Sequence, residues 1–388
     1  MQIVSQFDSG NIEVISQPEP HHVRLRIRKD PPTNTPDGTV EFFQWFCFEA
    51  HGVRGAQLTF SIEQMNNAAF PGGWENYRAV VSDDGVVWRR TETDYDGATL
   101  TIRAMSTGDV LTVAYFAPYP LERVRELVHR CASHLDVRSQ PIGTTLDGRP
   151  LDRLVVGDPE RSVPVFWILA RQHPGESMAS WWMEGFLDRL LDDDDTLSGL
   201  IRSKATIHVV PHANPDGSFR GHLRTNAAGA NLNREWLHPS PERSPEVLAM
   251  RNAMDETGVA LCLDVHGDEA LPYTFIADGH GAPGWSDVQE AGSNAFCAAY
   301  ELANPSFQRV HGYGRSAPGE GNRTMCTNAV SERYGAVGMT LEMPFKDDAN
   351  YPDEFFGWSP ERSMRMGRSA IDALWGYLQH CEETISST

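Results

Sequence analysis

The sequence has no CxxC pair, no basic surplus, no long apolar run and no internal repeat, and each absence narrows the possibilities. Its six cysteines, at 47, 131, 262, 297, 326 and 381, keep no regular spacing. In a chain this long they read as scattered reduced thiols. Basic residues are few: 33 Lys and Arg stand against 53 Asp and Glu, a formal net charge of -20. That balance argues against nonspecific binding to nucleic acid or to an anionic membrane. No apolar run approaches the ~20 residues of a membrane-spanning helix. The first residues, MQIVSQFDSGNIEVIS, have neither the basic nor the apolar region of a secretory signal. The expected location is therefore the cytoplasm.

What is present is a large apolar fraction, 40% of 388 residues. That is more than one core usually holds, so two domains are expected. The 33 glycines and 25 prolines are spread along the chain, as in a loop-rich enzyme. Residues 1–118 read as all-β. HHVRLRIR (21–28), FFQWFCFEA (42–50), AQLTFSI (56–62), RAVVS (78–82), VVWRR (86–90) and TLTIRAM (99–105) are strand-like. The turn signals PDG (36–38), DDG (83–85) and YDG (95–97) separate them. Short strands at this spacing predict an antiparallel β-sandwich. Pro118 and Pro120 end the region, and a helical pattern follows from Leu121.

Residues 119–388 alternate strands and helices. The strands are 152–157, 164–170, 205–211, 259–267 and 336–343; the helices are 178–191, 244–256 (Ser244 as N-cap) and 365–381. This predicts an α/β domain, a mixed, mostly parallel sheet flanked by helices.

The stretch RQHPGESMASWW (171–182) puts His173 and Glu176 just past the apolar strand 164–170. Open α/β sheets build their sites at that end of their strands. His266, in LDVHGDE, stands at the end of another apolar strand. The three can converge on one metal ion. Two imidazoles and a carboxylate leave zinc an open position, as in catalytic sites. Pro174 and Gly175 stop the strand without starting a helix, so both side chains can turn to one ion. Asp264 and Asp268 are both available to orient His266.

HPGE is followed by NPDG (214–217), NLNR (231–234), DVHG (264–267) and TLEM (340–343). That ordered set resembles the zinc metallocarboxypeptidases. PGGWENYRAV (71–80), FFQWFCF (42–48) and AYFAPYPLER (114–123) narrow the resemblance to the cytosolic carboxypeptidase branch. The resemblance implies one Zn2+ held by His173, Glu176 and His266. It implies Glu342 as the general base and Arg224 as the residue that stabilises the oxyanion. Asn233 and Arg234 match the pair that grips the terminal carboxylate of a peptide or protein substrate. A guanidinium fork suits that carboxylate, and a fixed cation suits a developing oxyanion. Taken singly, each has a plainer reading: NPDG is a turn, Glu342 an edge carboxylate, Arg224 and Arg234 surface arginines.

GEGNRTM (319–325) puts Arg323 where the branch has a pocket arginine, which implies release of acidic residues; Arg315 competes for that role, and Arg323 paired with a local acid such as Glu320 is the plainer reading. Tyr313 and Tyr334 are both candidates for a tyrosine near the substrate. DDDD (192–195) reads as a solvated loop, and Trp181 and Trp182 as core. Two other functions share parts of this pattern: a zinc deacylase of N-acyl amino acids, and a peptide-binding protein without catalysis.

Overall fold

The computed structural model describes residues 1–35, 38–161 and 163–386. The first two residues of the PDG turn signal, at 36 and 37, lie outside them.

The N-terminal region holds two five-stranded sheets. One runs in the order Gln2–Val4, Cys47–His51, Val110–Ala114, Val80–Ser82, Arg89–Arg90, antiparallel throughout. The other runs Glu92–Tyr95, Leu100–Met105, Gln57–Ile62, His22–Arg26, Glu13–Glu19. It is antiparallel except where His22–Arg26 pairs parallel with Gln57–Ile62. Alternation sets the inner faces: Leu58, Phe60 and Ile62 are buried, as are Leu100, Ile102 and Ala104. Phe48 of one sheet meets Phe60 of the other edge to face at 5.1 Å. The aromatic run at 42–50 is a strand only from Cys47 onward. Residues 42–46 join no strand ladder; Phe42 O, Phe43 O and Phe46 O instead accept the amides of Asp30, Ala69 and Tyr115, and the Gln44 side chain bonds the backbone of Phe70. Likewise 86–90 keeps only Arg89–Arg90 as strand, since Asp84 Oδ1 ties Val86 and Val87 into a turn.

The C-terminal region is built on a seven-stranded sheet ordered Val137–Ser139, Leu154–Val156, Thr206–Val210, Val165–Ala170, Leu261–Asp268, Val337–Pro344, Phe275–Asp278. Its four inner strands, Thr206–Val210 to Val337–Pro344, are parallel; the remaining pairings are antiparallel. Side chains alternate between the faces. Phe166, Ile168 and Ala170 join one apolar cluster with helices Met178–Leu190, Asp287–Ala303 and Pro360–Ser386. Trp167 and Leu169 join another with helices Pro245–Thr257 and Cys326–Tyr334. Burial on both faces explains the continuous apolar runs of these strands.

Some local details differ from expectation. NPDG is not a free turn: Asn214 caps the short helix Pro215–Arg220, accepting from the Gly217 amide at 3.1 Å. Ser244 stands at the N-cap of its helix but makes no capping bond with its side chain. Asp195, in the acidic run, caps Thr196–Lys204 and pairs with Arg189 at 2.7 Å. Trp181 and Trp182 are core, as expected.

Candidate metal centre and cleft

The parallel register brings the site together. His266 and Glu342 are direct partners across neighbouring strands, and Asp264 lies two residues before His266 on the same face. Strand Val165–Ala170, on the other side of Leu261–Asp268, ends in the turn that carries His173 and Glu176. Glu176 Oε1 lies 2.7 Å from His173 Nδ1, and its Oε2 lies 2.7 Å from His266 Nδ1. The two Nδ1 atoms are 3.1 Å apart. All three residues are buried.

The outward nitrogens are taken. His173 Nε2 faces Asn231 Oδ1 at 3.0 Å, and His266 Nε2 faces Asp264 Oδ2 at 2.8 Å. Both outer partners are acceptors, so each ring donates its Nε2 proton outward and aims its Nδ1 at the shared position. Two imidazole nitrogens and a carboxylate converging this way fit a zinc ion with an open position. Of the two aspartates open in the sequence, Asp264 orients His266. Asp268 instead accepts the amide of Ala270 at 2.7 Å and the Tyr313 hydroxyl at 2.6 Å.

Charge is unevenly shared. Burial, and next the Arg224 charge, push His173 down to about 3, so its ring is neutral near pH 7. Burial also pushes His266 down, but Asp264 and Glu176 outweigh it and draw it up. Burial raises Glu176, yet the two histidines outweigh it and hold its carboxyl low. Glu342 goes the other way: burial raises it, and Glu176, Asp268 and Glu269 add to the rise against the pull of His266. Its Oε2 is buried with no hydrogen-bond partner, as suits a group kept free for a proton.

The HPGE turn is tightly seated. Gly175 donates its amide to Leu223 O at 2.8 Å, and a Cβ there would lie 2.9 Å from that oxygen. A Cβ on Gly217 would lie 2.4 Å from Pro174 Cγ, so HPGE and NPDG pack directly on each other. Arg171, fully buried with φ 65°, holds the turn by donating to Pro174 O at 2.7 Å and Ser180 Oγ at 2.9 Å. Gln172 accepts from Trp236 Nε1 at 2.9 Å and donates to Asp264 Oδ2. Sequence reasoning assigned neither residue a role, nor one to Asn231.

Arg224 is half-buried beside the centre, its guanidinium 5.1 Å from the Phe70 ring and 5.8 Å from Phe42. Arg234 is exposed, yet its surroundings desolvate it; burial, then the Arg224 charge, lower it to about 10. Asn233 is buried, and its Oδ1 accepts from the Cys326 amide at 2.8 Å. Tyr313, under the influence of Glu342 and Asp268, is the tyrosine beside the site. Tyr334 points elsewhere, donating to Asp255 at 2.7 Å.

Arg323, expected in the substrate pocket, instead gives its Nε and Nη2 to Glu332, at 2.6 Å each, in the last turn of helix Cys326–Tyr334. The partner is not Glu320 either. Arg315 lines a cavity of about 530 Å³ next to Tyr313, held there by Asp278 and Glu290 at 2.8 Å.

A buried His–Glu–His centre at the C-terminal ends of parallel strands, with the Arg224 charge beside it, defines a hydrolytic metal site on an α/β fold. The chain belongs to the zinc carboxypeptidase family: residues 125–348 match the zinc carboxypeptidase model, and residues 3–116 match the cytosolic carboxypeptidase N-terminal domain. It is 46% identical to a protein of Zymomonas mobilis over 96% of each chain. A metallo-carboxypeptidase from Pseudomonas aeruginosa, solved with (2-guanidinoethylmercapto)succinic acid, is 40% identical, with a TM-score of 0.93 over 98% of this chain and 100% of that one. Human cytosolic carboxypeptidase 1 is 27% identical over 70% of this chain, which spans only 26% of that larger protein. The activity is accordingly that of a metallocarboxypeptidase. Among the described residues no helix is long and apolar enough to cross a membrane.

Proposed function

We propose that the chain is a zinc enzyme that removes the C-terminal residue of peptides or proteins. The register of His266 against Glu342, with the His173–Glu176 turn facing it, is the observation that carries this reading. His173, Glu176 and His266 would hold one zinc ion, which supplies Lewis acidity toward the scissile carbonyl and toward water. Glu342 accepts the proton of the attacking water and returns it to the leaving amine. Its raised affinity for protons makes it a stronger base than an exposed glutamate. Arg224 donates to the oxygen that gains charge in the tetrahedral intermediate. Arg234 and Asn233 receive the terminal carboxylate. Residues 1–118 form the β domain and 119–388 the catalytic domain. The cytoplasm is the proposed location, with neither nucleic acid nor membrane as partner.

Acidic C-terminal residues remain the proposed preference, now on Arg315 in place of Arg323. A substrate carboxylate would have to exchange with Asp278 or Glu290 for that guanidinium. The ligand of the P. aeruginosa relative joins a guanidinium to two carboxylates. If its guanidinium reflects the side chain accepted here, Asp278 and Glu290 would select basic residues instead. A C-terminal peptide library read by mass spectrometry, with and without chelator, decides between them. Release of glutamate supports Arg315; release of lysine or arginine sinks the acidic preference. Equal cleavage of amidated peptides would remove the role of Arg234 and return the deacylase reading.

A further inference from the structure

One aspartate of the N-terminal domain is bound to the loop that carries Arg224. Asp30 follows strand His22–Arg26 and is 2% exposed. Its Oδ1 accepts the amide of Leu223 at 2.8 Å. Its Oδ2 accepts the amides of Arg224 and Thr225 at 2.8 and 2.9 Å and the Thr225 hydroxyl at 3.1 Å. Its own amide donates to Phe42 O at 2.8 Å, and the Phe42 ring flanks the Arg224 guanidinium. One residue therefore fixes the backbone of Arg224 and part of the wall its side chain lies against. The same loop returns Leu223 O to Gly175, between the two candidate ligands His173 and Glu176.

Burial pushes the Asp30 carboxyl up, while His222 and the three amides pull it back. Every partner is a donor, so the ionised form is the one this nest accommodates. A loop tied only by backbone bonds to its own domain would not need a buried carboxylate from another. Other contacts between the regions are plainer: Thr33 Oγ1 donates to Gly229 O at 2.8 Å, and Asn11 Nδ2 to Gly221 O at 2.7 Å.

We propose that Asp30 is a positioning residue: the β domain supplies a buried carboxylate that holds Arg224 where the reaction's developing negative charge appears. The proposal rests on the role assigned to Arg224 above. In that role the arginine works only if its donors are fixed before charge develops, and small displacements of such a group are costly.

The test uses the full-length, zinc-loaded protein, a peptide with a free C-terminus, and the variants Asp30→Asn, Arg224→Ala and their double. Asparagine keeps the shape but turns an amide toward N–H donors. In Asp30→Asn we expect kcat to fall roughly tenfold or more with KM and bound zinc little changed, since a transition-state contact is lost. Hydrogen exchange at the amides of residues 223–225 should quicken in the same variant. In the Arg224→Ala background the second substitution should cost less than about twofold, because the two act as one unit. Thr33→Val, which removes an interface bond away from Arg224, should lower the melting temperature and leave kcat alone. If Asp30→Asn does not fold, Thr225→Val removes one bond to the carboxylate and should show the same pattern in weaker form. Unchanged kcat in the folded variant, or full additivity with Arg224→Ala, overturns the proposal while Arg224 keeps its role. Wild-type activity in Arg224→Ala sinks the role of Arg224 and the proposal with it.

Discussion

His266 depends on the residue behind it. Asp264 Oδ2 takes the Nε2 proton of His266 and also a bond from Gln172, while its Oδ1 is buried without a partner. Replacing Asp264 with alanine frees the His266 ring to turn and to exchange tautomers. Zinc affinity should fall about 10- to 100-fold, read by competition with a chelator; unchanged affinity would remove Asp264 from the site. Gln172→Ala leaves Trp236 Nε1 without its acceptor in a buried setting. It should destabilise the fold by about 1–3 kcal/mol in urea unfolding, and a loss near zero would mean water takes the place of the amide. The ligands themselves are legible in the sequence because they follow apolar strands, whose ends are where α/β sheets place chemistry. Gln172 and Asn231 are not, since their partners are 64 and 58 residues away with no spacing rule linking them. Arg323 misleads for a related reason. An exposed arginine goes to the nearest acid, and Glu332, nine residues on in the last turn of the helix that follows, is brought to it only when that helix forms.

At the level of elements, the strands buried on both faces are readable from their unbroken apolar runs. The edge strand Phe275–Asp278 and the helix Asp287–Ala303 are not in the sequence-based reading, although Ser286 and Gln289 form a capping box that marks the helix start. The HPGE turn is an element with no slack. Gly175→Ala would drive a methyl against Leu223 O, the carbonyl next to Arg224. Activity should drop more than stability, with kcat and the melting temperature measured together; a variant with normal kcat would mean the loop can shift without consequence. Helix Pro245–Thr257 carries a pH effect. Glu246, in its first turn, is 1% exposed, has one oxygen without a partner, and is pushed up by burial to about 7. The folded state therefore holds this proton more tightly than the unfolded chain, whose value is 4.5. Folding is favoured while both states are protonated, and the advantage is lost as pH rises from 4.5 through about 7. Glu246→Gln should remove that slope and stabilise the protein above neutrality by about 1–3 kcal/mol. Melting curves across pH 4–8 (roughly the window of the shift) that stay parallel for variant and wild type would contradict it.

Across the whole molecule, the two regions share one apolar cluster that runs from the sandwich into the face of the central sheet. Tyr115 stacks on Phe345 at 4.5 Å across the junction, and Trp181 Nε1 donates to Ala117 O at 3.1 Å. Arg90 of the sandwich pairs with Asp347 at 3.0 Å, with the arginine nearly buried. Asp30 adds its four bonds to the loop of Arg224. The division proposed at 118 rests on the switch of patterning from period 2 to period 3.6 there, but the shared cluster is not visible in the sequence, since its contacts join residues as far apart as Tyr115 and Phe345. Two domains joined by a polar linker would unfold separately. These should not, because loss of the sandwich would bare Trp181, Phe345 and the underside of the Arg224 loop together. Scanning calorimetry of the full chain is expected to give one transition, with calorimetric and van't Hoff enthalpies in agreement. A chain cut to residues 119–388 is expected to lose cooperative melting and activity together. Two resolved transitions in the full chain, or a cut chain that melts sharply and still cleaves peptides, would show that the catalytic domain is complete without its β domain.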